Sequence, residues 1–299
     1  GNFASESPLN PAAREALLAA FDQGWADPKK ISQSASKAAI LRNQALENIA
    51  ERLGIPAASI EVIGEPSLGH YLSIAGLFAG LSPFVYSSID KGKVRAIARA
   101  HTSEVKELPA DNSGVILPLA DIPADSVLSL QLANGETGVI QSASDIPATV
   151  RVAVDATSSG ARLPLPRHWN TALFDSLSWN GPSGLAIMAI NNRSDYSYPL
   201  PRIAHISSPG SYSLPLLIAS SIALENFTGE DLALREFAIK ELSSIDGVQV
   251  VAPDATALAH LVSVVASGVS VEATVRGLAA LGIDVDSGSA CSPEDLQPS

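Results

Sequence analysis

Three segments between residues 132 and 190 decide the fold: LANGETGVIQ (132–141), VRVAVDATSSGARLPLP (150–166) and FDSLSWNGPSGLAIMAI (174–190). The runs VLSLQLA (127–133) and RVAVDA (151–156) are short, largely apolar and bounded by turn residues, a pattern typical of strands buried on both faces of a parallel sheet. Ligands of open α/β sheets bind beyond the carboxyl ends of such strands. Asp155 lies at one of these ends, where a buried carboxylate is costly unless a cation, such as a protonated ring nitrogen, pairs with it.

Composition excludes several classes of protein. The chain has 299 residues, 46% of them hydrophobic and 17% charged, which is typical of a globular protein with a sizeable core. A net charge of -12 without a marked Lys/Arg cluster argues against nucleic acid or an anionic membrane as a partner. The single cysteine excludes an intrachain disulfide framework and a zinc site with several cysteines. We find no apolar run of membrane-spanning length and no signal-like start, so we expect a cytoplasmic protein.

Four short motifs carry a family resemblance: NGETGVIQ (134–141), VDAT (154–157), GPSG (181–184) and SGSACS (287–292). In this order they resemble the cysteine desulfurase group of the class V aminotransferase family, fold-type I enzymes that use pyridoxal 5'-phosphate (PLP). The resemblance covers nearly the whole chain. It implies an α/β fold with a mainly parallel sheet flanked by helices in a large PLP-transferase-like domain, residues 12–200. A smaller α+β domain is expected from residues 1–11 and 201–299, truncated at its C-terminus relative to the family.

The residue that should bind the cofactor covalently is missing from this pattern. The family motif around that lysine is S-x-H-K-x-x-G-P-x-G, and counting back from Gly181 and Pro182 places Ser178 at the lysine and Leu177 at the histidine. All lysines of the chain lie outside residues 107–239: Lys29, Lys30, Lys37, Lys91, Lys93, Lys106 and Lys240. The internal Schiff base that holds and activates PLP therefore has no obvious donor.

Other family positions also differ. In the family, the turn T-S-G-G-T binds the cofactor phosphate with backbone N–H groups and hydroxyls. Here the turn reads GEPSLG (64–69), where Ser67 keeps one hydroxyl but Glu65 places a negative charge beside the expected phosphate. Ile89 and Asp90 stand where the family has Glu-His, and we interpret Asp90 as the N-cap of a helix. The arginine that binds the substrate carboxylate in the family has no counterpart.

Several candidate site residues are retained, and each has a structural alternative. Asp155 matches the acid that pairs with the pyridine nitrogen, or it caps loop amides; Asn134 matches a contact to the phenolic oxygen, or it forms a turn before Gly135. Ser158 replaces a glutamine at the same oxygen, and Gln141 is a further candidate for cofactor contact. Cys291 matches the nucleophile that carries sulfur as a persulfide, or it is a vestigial thiol. The histidines show no ligand spacing, and most are interpreted as surface or core-edge residues: His70, His101, His168, His205 and His260.

These observations leave three hypotheses. The first is a degenerate, non-catalytic homologue of the cysteine desulfurases that binds no cofactor. It would act in binding or regulation as a homodimer, beside an active desulfurase or a sulfur-acceptor protein. The second is a PLP-dependent transferase or lyase that recruits a substitute lysine or binds PLP without a covalent bond. The third is a sulfur carrier that uses Cys291 alone.

Overall fold

The computed structural model describes residues 8–23, 26–117 and 119–286. Its helices are α1 (Pro11–Gln23), α2 (Gln33–Leu53), α3 (Gly69–Ala75), α4 (Gly92–Ala100), α5 (Leu214–Glu225), α6 (Leu232–Ser243) and α7 (Val271–Ala280). Its strands are β1 (Ile60–Ile63), β2 (Phe84–Ser87), β3 (Val105–Leu108), β4 (Val127–Gln131), β5 (Arg151–Asp155), β6 (Thr171–Asp175), β7 (Ala186–Ile190), β8 (Val248–Val250) and β9 (Val264–Ala266). None of the helices in these ranges has the length and hydropathy needed to span a bilayer.

The main sheet has seven strands in the order β1-β7-β6-β5-β4-β2-β3. Five adjacent strands run parallel to one another: β3, β2, β4, β5 and β6. The next strand, β7, is antiparallel to both β6 and β1. The prediction of a mainly parallel sheet flanked by helices is therefore confirmed. Because β2, β4, β5 and β6 are parallel, their carboxyl ends meet at one edge of the sheet, where the polar residues that follow them come together.

Burial of the central strands explains their near-continuous apolar sequences. Every residue of β4 (VLSLQ) and of β7 (AIMAI) is buried, as a strand covered on both faces requires. One large hydrophobic cluster joins these strands to α2 and α5, with Phe174 and Trp179 among its fully buried members. Smaller clusters lie under α3 and α4 on the other face. The sheet is thus a rigid platform for the loops at its carboxyl edge.

The connection between β4 and β5 has no helix, as the short sequence after Gln141 predicts. Residues 142–150 form turns and irregular backbone, and β4 and β5 still pair in parallel, with Leu128 opposite Val152. Other predicted boundaries were wrong. The sequence after the turn at residues 64–69 predicts a helix over residues 68–81, but the helix ends at Ala75. Near the C-terminus the sequence predicts a strand over residues 258–265, whereas the observed strand, β9, begins only at Val264. Periodicity in a short segment specifies the element type better than its ends.

The division of the chain at residue 200 stays a prediction. One feature bears on where α5 belongs: Leu214, Leu217 and Ala219 are buried in the large cluster with the main sheet. The helix α5 therefore packs with the large sheet, although the sequence placed it in the small domain. Beyond it, α6, the antiparallel pair β8–β9 and α7 form the remaining C-terminal part of the described chain.

Candidate functional site

A cavity of about 340 Å³ lies at the carboxyl edge of the parallel strands. Its lining residues follow the ends of β2, β4, β5 and β6 or reach in from the C-terminal part of the chain: Lys91, Asn134, Glu136, Thr157, Ser158, Arg162, Asp175, Leu177, Ser178 and His260. A larger cavity of about 1050 Å³ lies between α2 and residues 205–215. Of the sequence-predicted site residues that the structure describes, none lines that larger cavity, whereas Asn134, Ser158 and Ser178 line the smaller one, which is therefore the candidate functional site.

Asp155 does not itself line this cavity. It is buried, with only 6% of its surface exposed, in contact with the lining residues Lys91 and Thr157. Its Oδ2 atom lies 2.9 Å from Nε2 of His70 and 3.5 Å from Nζ of Lys91. Its Oδ1 atom accepts a hydrogen bond from the backbone N–H of Thr157 at 2.9 Å and one from the Thr157 hydroxyl at 2.6 Å. Both carboxylate oxygens are therefore fully engaged by the chain's own groups.

His70 is an exception to the interpretation of most histidines as surface or core-edge residues. It lies in α3, is 6% exposed, and contacts a carboxylate that is 85 positions away in the sequence. Its other ring nitrogen, Nδ1, is buried without a hydrogen-bond partner in the described part of the chain. His70 thus contacts Asp155 through Nε2 alone.

Lys91 reaches Asp155 because the turn after β2 is fixed in place. The backbone carbonyl of Ile89 accepts hydrogen bonds from Gln131 Nε2 at 3.0 Å and from Asn134 Nδ2 at 3.2 Å. From this turn the Lys91 ammonium also donates a hydrogen bond to the Thr157 hydroxyl. Its side chain is 32% exposed, so the amine lies at the boundary between the buried carboxylate and the cavity.

Asp90 is not the helix N-cap that the sequence suggested. The cap residue of α4 is Lys91, which makes no side-chain capping hydrogen bond. Asp90 points back into the protein, where its Oδ2 accepts a hydrogen bond from the Ser87 N–H at 2.8 Å and its Oδ1 has no partner among the described groups. The Asp90 carboxylate is buried, and this burial raises its pKa.

The two buried aspartates titrate in opposite directions. Burial alone would raise the pKa of Asp155, but the charges of Lys91 and His70 and their hydrogen bonds, with those of Thr157, hold it well below its ordinary value. Burial raises the pKa of Asp90 to about 7, against the lowering effect of the Ser87 hydrogen bond. Asp155 is therefore ionised at neutral pH with the Lys91 ammonium beside it, whereas Asp90 titrates near neutral pH.

Asn134 and Gln141 use their amide groups inside the protein. The Oδ1 atom of Asn134 accepts hydrogen bonds from the N–H groups of Glu136 and Thr137, both at 2.9 Å, which closes the turn after β4. Gln141 accepts from Ile116 N at 2.9 Å and donates to the Gly114 carbonyl at 2.8 Å. Asn134 lines the cavity and Gln141 does not. The amide contacts assign both side chains to loop architecture.

Ser178 lies in the cavity wall, in the 3-10 turn Ser176–Trp179 that follows β6. Its hydroxyl donates to the Asp175 carbonyl at 2.6 Å, and its own carbonyl accepts a hydrogen bond from Arg162. Gly160, at φ +55°, packs so closely that an added Cβ would lie 2.3 Å from the Ser178 oxygen. The position that the resemblance assigns to a lysine therefore holds a short, hydrogen-bonded side chain in a crowded turn.

Arg162 is the cationic side chain on the opposite wall, and it is already paired. Its Nε donates to Glu230 Oε2 at 2.7 Å, its Nη2 contacts Glu230 Oε1, and the guanidinium lies 4.7 Å from the centre of the Phe227 ring. Burial lowers the pKa of the neighbouring His260 to about 4, with Arg162 adding to the effect, so that imidazole is neutral at pH 7. The Arg162–Glu230 pair joins the cavity wall to residues before α6. Because it engages the Arg162 guanidinium, that group is not free for a substrate carboxylate.

The turn that precedes α3 is closed by its own carboxylate. Glu65 accepts a hydrogen bond from the backbone N–H of Ser67 at 3.2 Å, and hydrogen bonds from Ser67 lower the pKa of Glu65. Both side chains are exposed, and neither lines the cavity. An N–H group that would have to face a phosphate in the family is thus occupied by a negative charge.

Two further predictions stay open. Cys291 lies outside the described residues, so its sulfur chemistry remains a prediction. Ser158 is half-buried and lines the cavity, where its hydroxyl lies near Gly135. Within the described ranges, no group of three or more His, Cys, Asp or Glu side chains could hold a metal ion.

Comparisons with known proteins agree with the architecture. A structure titled SspA in complex with cysteine has a TM-score of 0.80 at 20% identity and covers 97% of this chain and 89% of its own. A NifS-like protein has a TM-score of 0.82 at 18% identity, covering 96% and 86%. The NifS-like protein of Rickettsia africae ESF-5 has a TM-score of 0.82 at 19% identity, covering 96% and 87%. The chain has the NifS-like fold.

At these identities the NifS-like likeness establishes the fold of the chain and leaves its chemistry to the site. The sequence profile of the family described as Aminotransferase class-V matches residues 205–299. No curated protein has a sequence that matches the chain. The match therefore links the C-terminal third to that family, and the solved structures extend the likeness to the whole fold.

PLP is the cofactor that this fold implies, and the cavity residues do not fit it. A pyridine nitrogen needs a free acceptor on Asp155, yet both oxygens of that carboxylate are engaged by Lys91, His70 and Thr157. The expected lysine position is Ser178, and the phosphate turn carries Glu65. Asp155 and Ser178 therefore do not offer the free acceptor and the amine that PLP would need at these two positions.

Proposed function

We propose that this chain is a homologue of the cysteine desulfurases that has lost PLP-dependent catalysis and acts as a binding or regulatory protein. The observation that carries the proposal is the serine at position 178, hydrogen-bonded into the cavity wall where the resemblance requires the Schiff-base lysine. Serine cannot form an imine with an aldehyde, so the covalent attachment on which this cofactor chemistry depends has no donor there.

The remaining departures support the same proposal. The carboxylate of Asp155 is paired within the protein, and the Glu65 carboxylate occupies a backbone N–H of the turn before α3. Arg162 is held by Glu230 and does not offer its guanidinium to a substrate. In each case a polar group that faces or borders the expected cofactor site is engaged by another group of the chain. The partner that we expect is a second copy of the chain, together with an active desulfurase or a sulfur-acceptor protein.

A turnover assay with added PLP tests this proposal. The purified chain is incubated with L-cysteine and excess PLP, and the release of sulfide and of alanine is followed beside a sample of PLP alone. We expect rates equal to those of free PLP. Release above that background that is reproducible between preparations would overturn the loss of catalysis.

A PLP-dependent enzyme with a substitute lysine is the second candidate, and the position of Lys91 favours it. Lys91 is the lysine among the residues that line the cavity, and its amine lies at the cavity boundary. If this candidate is correct, Lys91→Arg abolishes the release of sulfide from L-cysteine. Lys93→Arg, two positions further along on an exposed face of α4, leaves it unchanged.

A further inference from the structure

We propose that Lys91 is an internal replacement for a bound cation: its ammonium takes the place beside Asp155 that a protonated ring nitrogen would need, and so excludes cationic nitrogen heterocycles from the cleft. This inference rests on the proposed function and assigns a specificity-determining role to a residue that the sequence pattern leaves unassigned. It makes the loss of cofactor binding a property of one side chain as well as of the missing lysine.

The Lys91 ammonium lies beside both the Asp155 carboxylate and its partner Thr157. The ammonium of Lys91 lies 3.5 Å from Asp155 Oδ2 and donates to the Thr157 hydroxyl, which itself donates to Asp155 Oδ1 at 2.6 Å. Lys91 therefore contacts Asp155 both directly and through Thr157. A ligand nitrogen that approached the same carboxylate from the cavity would have to displace this arrangement.

The turn that carries Lys91 is held in place by neighbouring side chains. The carbonyl of Ile89 is held by two amide side chains at the end of β4, Gln131 and Asn134, so the turn that carries Lys91 is anchored to the sheet. Gly135 packs beside the lysine: a Cβ at that position would lie in ordinary contact, 3.5 Å, with Lys91 Cε, but only 2.8 Å from the Ser158 hydroxyl. The lysine thus occupies a fitted place between the turn after β4 and the residues after β5.

The positive charge of Lys91 also opposes the binding of a cationic ligand. The Asp155 side chain is 5% exposed, and an ionised carboxylate in that setting requires a cation. Lys91 supplies that cation from the side of the cavity, while His70 approaches from α3. A cationic ligand in the cavity would meet the positive charge of Lys91 before it met the negative charge of Asp155, and like charges in a poorly solvated site repel strongly.

Calorimetric titration with pyridoxine tests the inference. Pyridoxine carries a pyridine ring but neither aldehyde nor phosphate, so its binding depends neither on Ser178 nor on Glu65. We expect Lys91→Met to bind pyridoxine at least about tenfold more tightly than the unmodified chain, because the competing charge is removed while the methylenes are kept. Lys91→Arg keeps the charge and is expected to exclude pyridoxine, and Lys93→Met is the matched control on an exposed position. A folded Lys91→Met that binds pyridoxine no better than the unmodified chain would overturn the inference.

A labelling experiment on the unmodified chain avoids any dependence on the folding of a variant. Brief reductive methylation with formaldehyde and cyanoborohydride modifies accessible amines, and peptide mass analysis gives the extent at each lysine. We expect Lys91 to be modified several-fold more slowly than Lys93, since the Lys91 amine is engaged by Asp155 and Thr157. Equal rates at the two lysines would contradict the inference.

The outcomes separate this inference from the proposed function. Turnover with added PLP would end the proposed function, whereas the pyridoxine titration involves neither an aldehyde nor turnover and tests the charge exclusion by itself. Failure of Lys91→Met to gain pyridoxine affinity, without any turnover, would end the inference and leave the proposed function intact.

Discussion

Replacing Lys91 by methionine removes the ammonium that lies beside the buried carboxylate of Asp155. At the observed 3.5 Å, an effective dielectric constant of about 20 gives an attraction of roughly 5 kcal/mol. The lysine side chain is 32% exposed, so solvent screening reduces this value, and His70 remains in contact with the same carboxylate. We expect Lys91→Met to lower the free energy of unfolding by about 2 kcal/mol at pH 7.5.

The pH dependence of that loss follows from the carboxylate. The pKa of Asp155 is lower in the folded chain than in the unfolded chain, so its contribution to stability is present above its ordinary pKa and is lost as the pH falls towards the folded value. Lys91→Met raises the folded pKa of Asp155. The difference between the variant and the unmodified chain is therefore largest near neutral pH and shrinks below about pH 4.

Urea unfolding followed by circular dichroism at several values between pH 8 and pH 4 measures this difference, with Lys93→Met as the control. A loss of about 2 kcal/mol corresponds to a fall in Tm of roughly 3 to 5 °C. If Lys91→Met and Lys93→Met have the same stability at pH 7.5, or if the loss is unchanged at pH 4, the assignment of Lys91 as the partner of Asp155 is refuted.

Three further predictions concern the walls of the cavity. Asp90 has a folded pKa of about 7, above its ordinary value, so its contribution to stability is lost as the pH rises between these two values. In thermal melts Asp90→Asn should gain up to about 4 kcal/mol at pH 8 and less than half of that at pH 5, and an equal effect at both would exclude ionised Asp90 as the cause. Gly160→Ala should lose about 2 to 3 kcal/mol in urea unfolding, because φ is +55° and the new Cβ meets Ser178; Ser178→Gly should restore part of the loss. A double-mutant cycle of Arg162→Met and Glu230→Gln should give a coupling energy of about 1 kcal/mol, and strict additivity would show that the pair contributes nothing.

The sequence predicted the sheet well because its central strands are buried on both faces. The apolar runs before Asn134 and after Val150 correspond to β4 and β5, and the absence of a helix between them was predicted from the short intervening sequence. A one-dimensional pattern is sufficient there, since burial imposes the same apolar requirement along the whole strand. The helix that follows residue 68 was predicted too long, because its apolar sequence continues into a buried turn after Ala75.

The internal partners of Asp155 were not predicted, although the need for a partner was. His70 and Asp155 are 85 positions apart, and nothing in the spacing of the histidines indicates the contact. Lys91 offered a usable signal: it directly follows a buried strand, and parallel strands bring the residues after them to one edge. That signal was hidden by Asp90, whose position before a helix favoured a capping role that the structure does not support.

We propose that the chain's own side chains take the place of PLP in the cleft, so that the purified chain binds none. The most direct test is to mix the purified chain with excess PLP, reduce with borohydride, and map any pyridoxyl-modified peptide by mass spectrometry. We expect no visible Schiff-base band before reduction, and only traces of adduct spread over exposed lysines. A strong band with stoichiometric adduct on a single lysine, above all on Lys91, would contradict it.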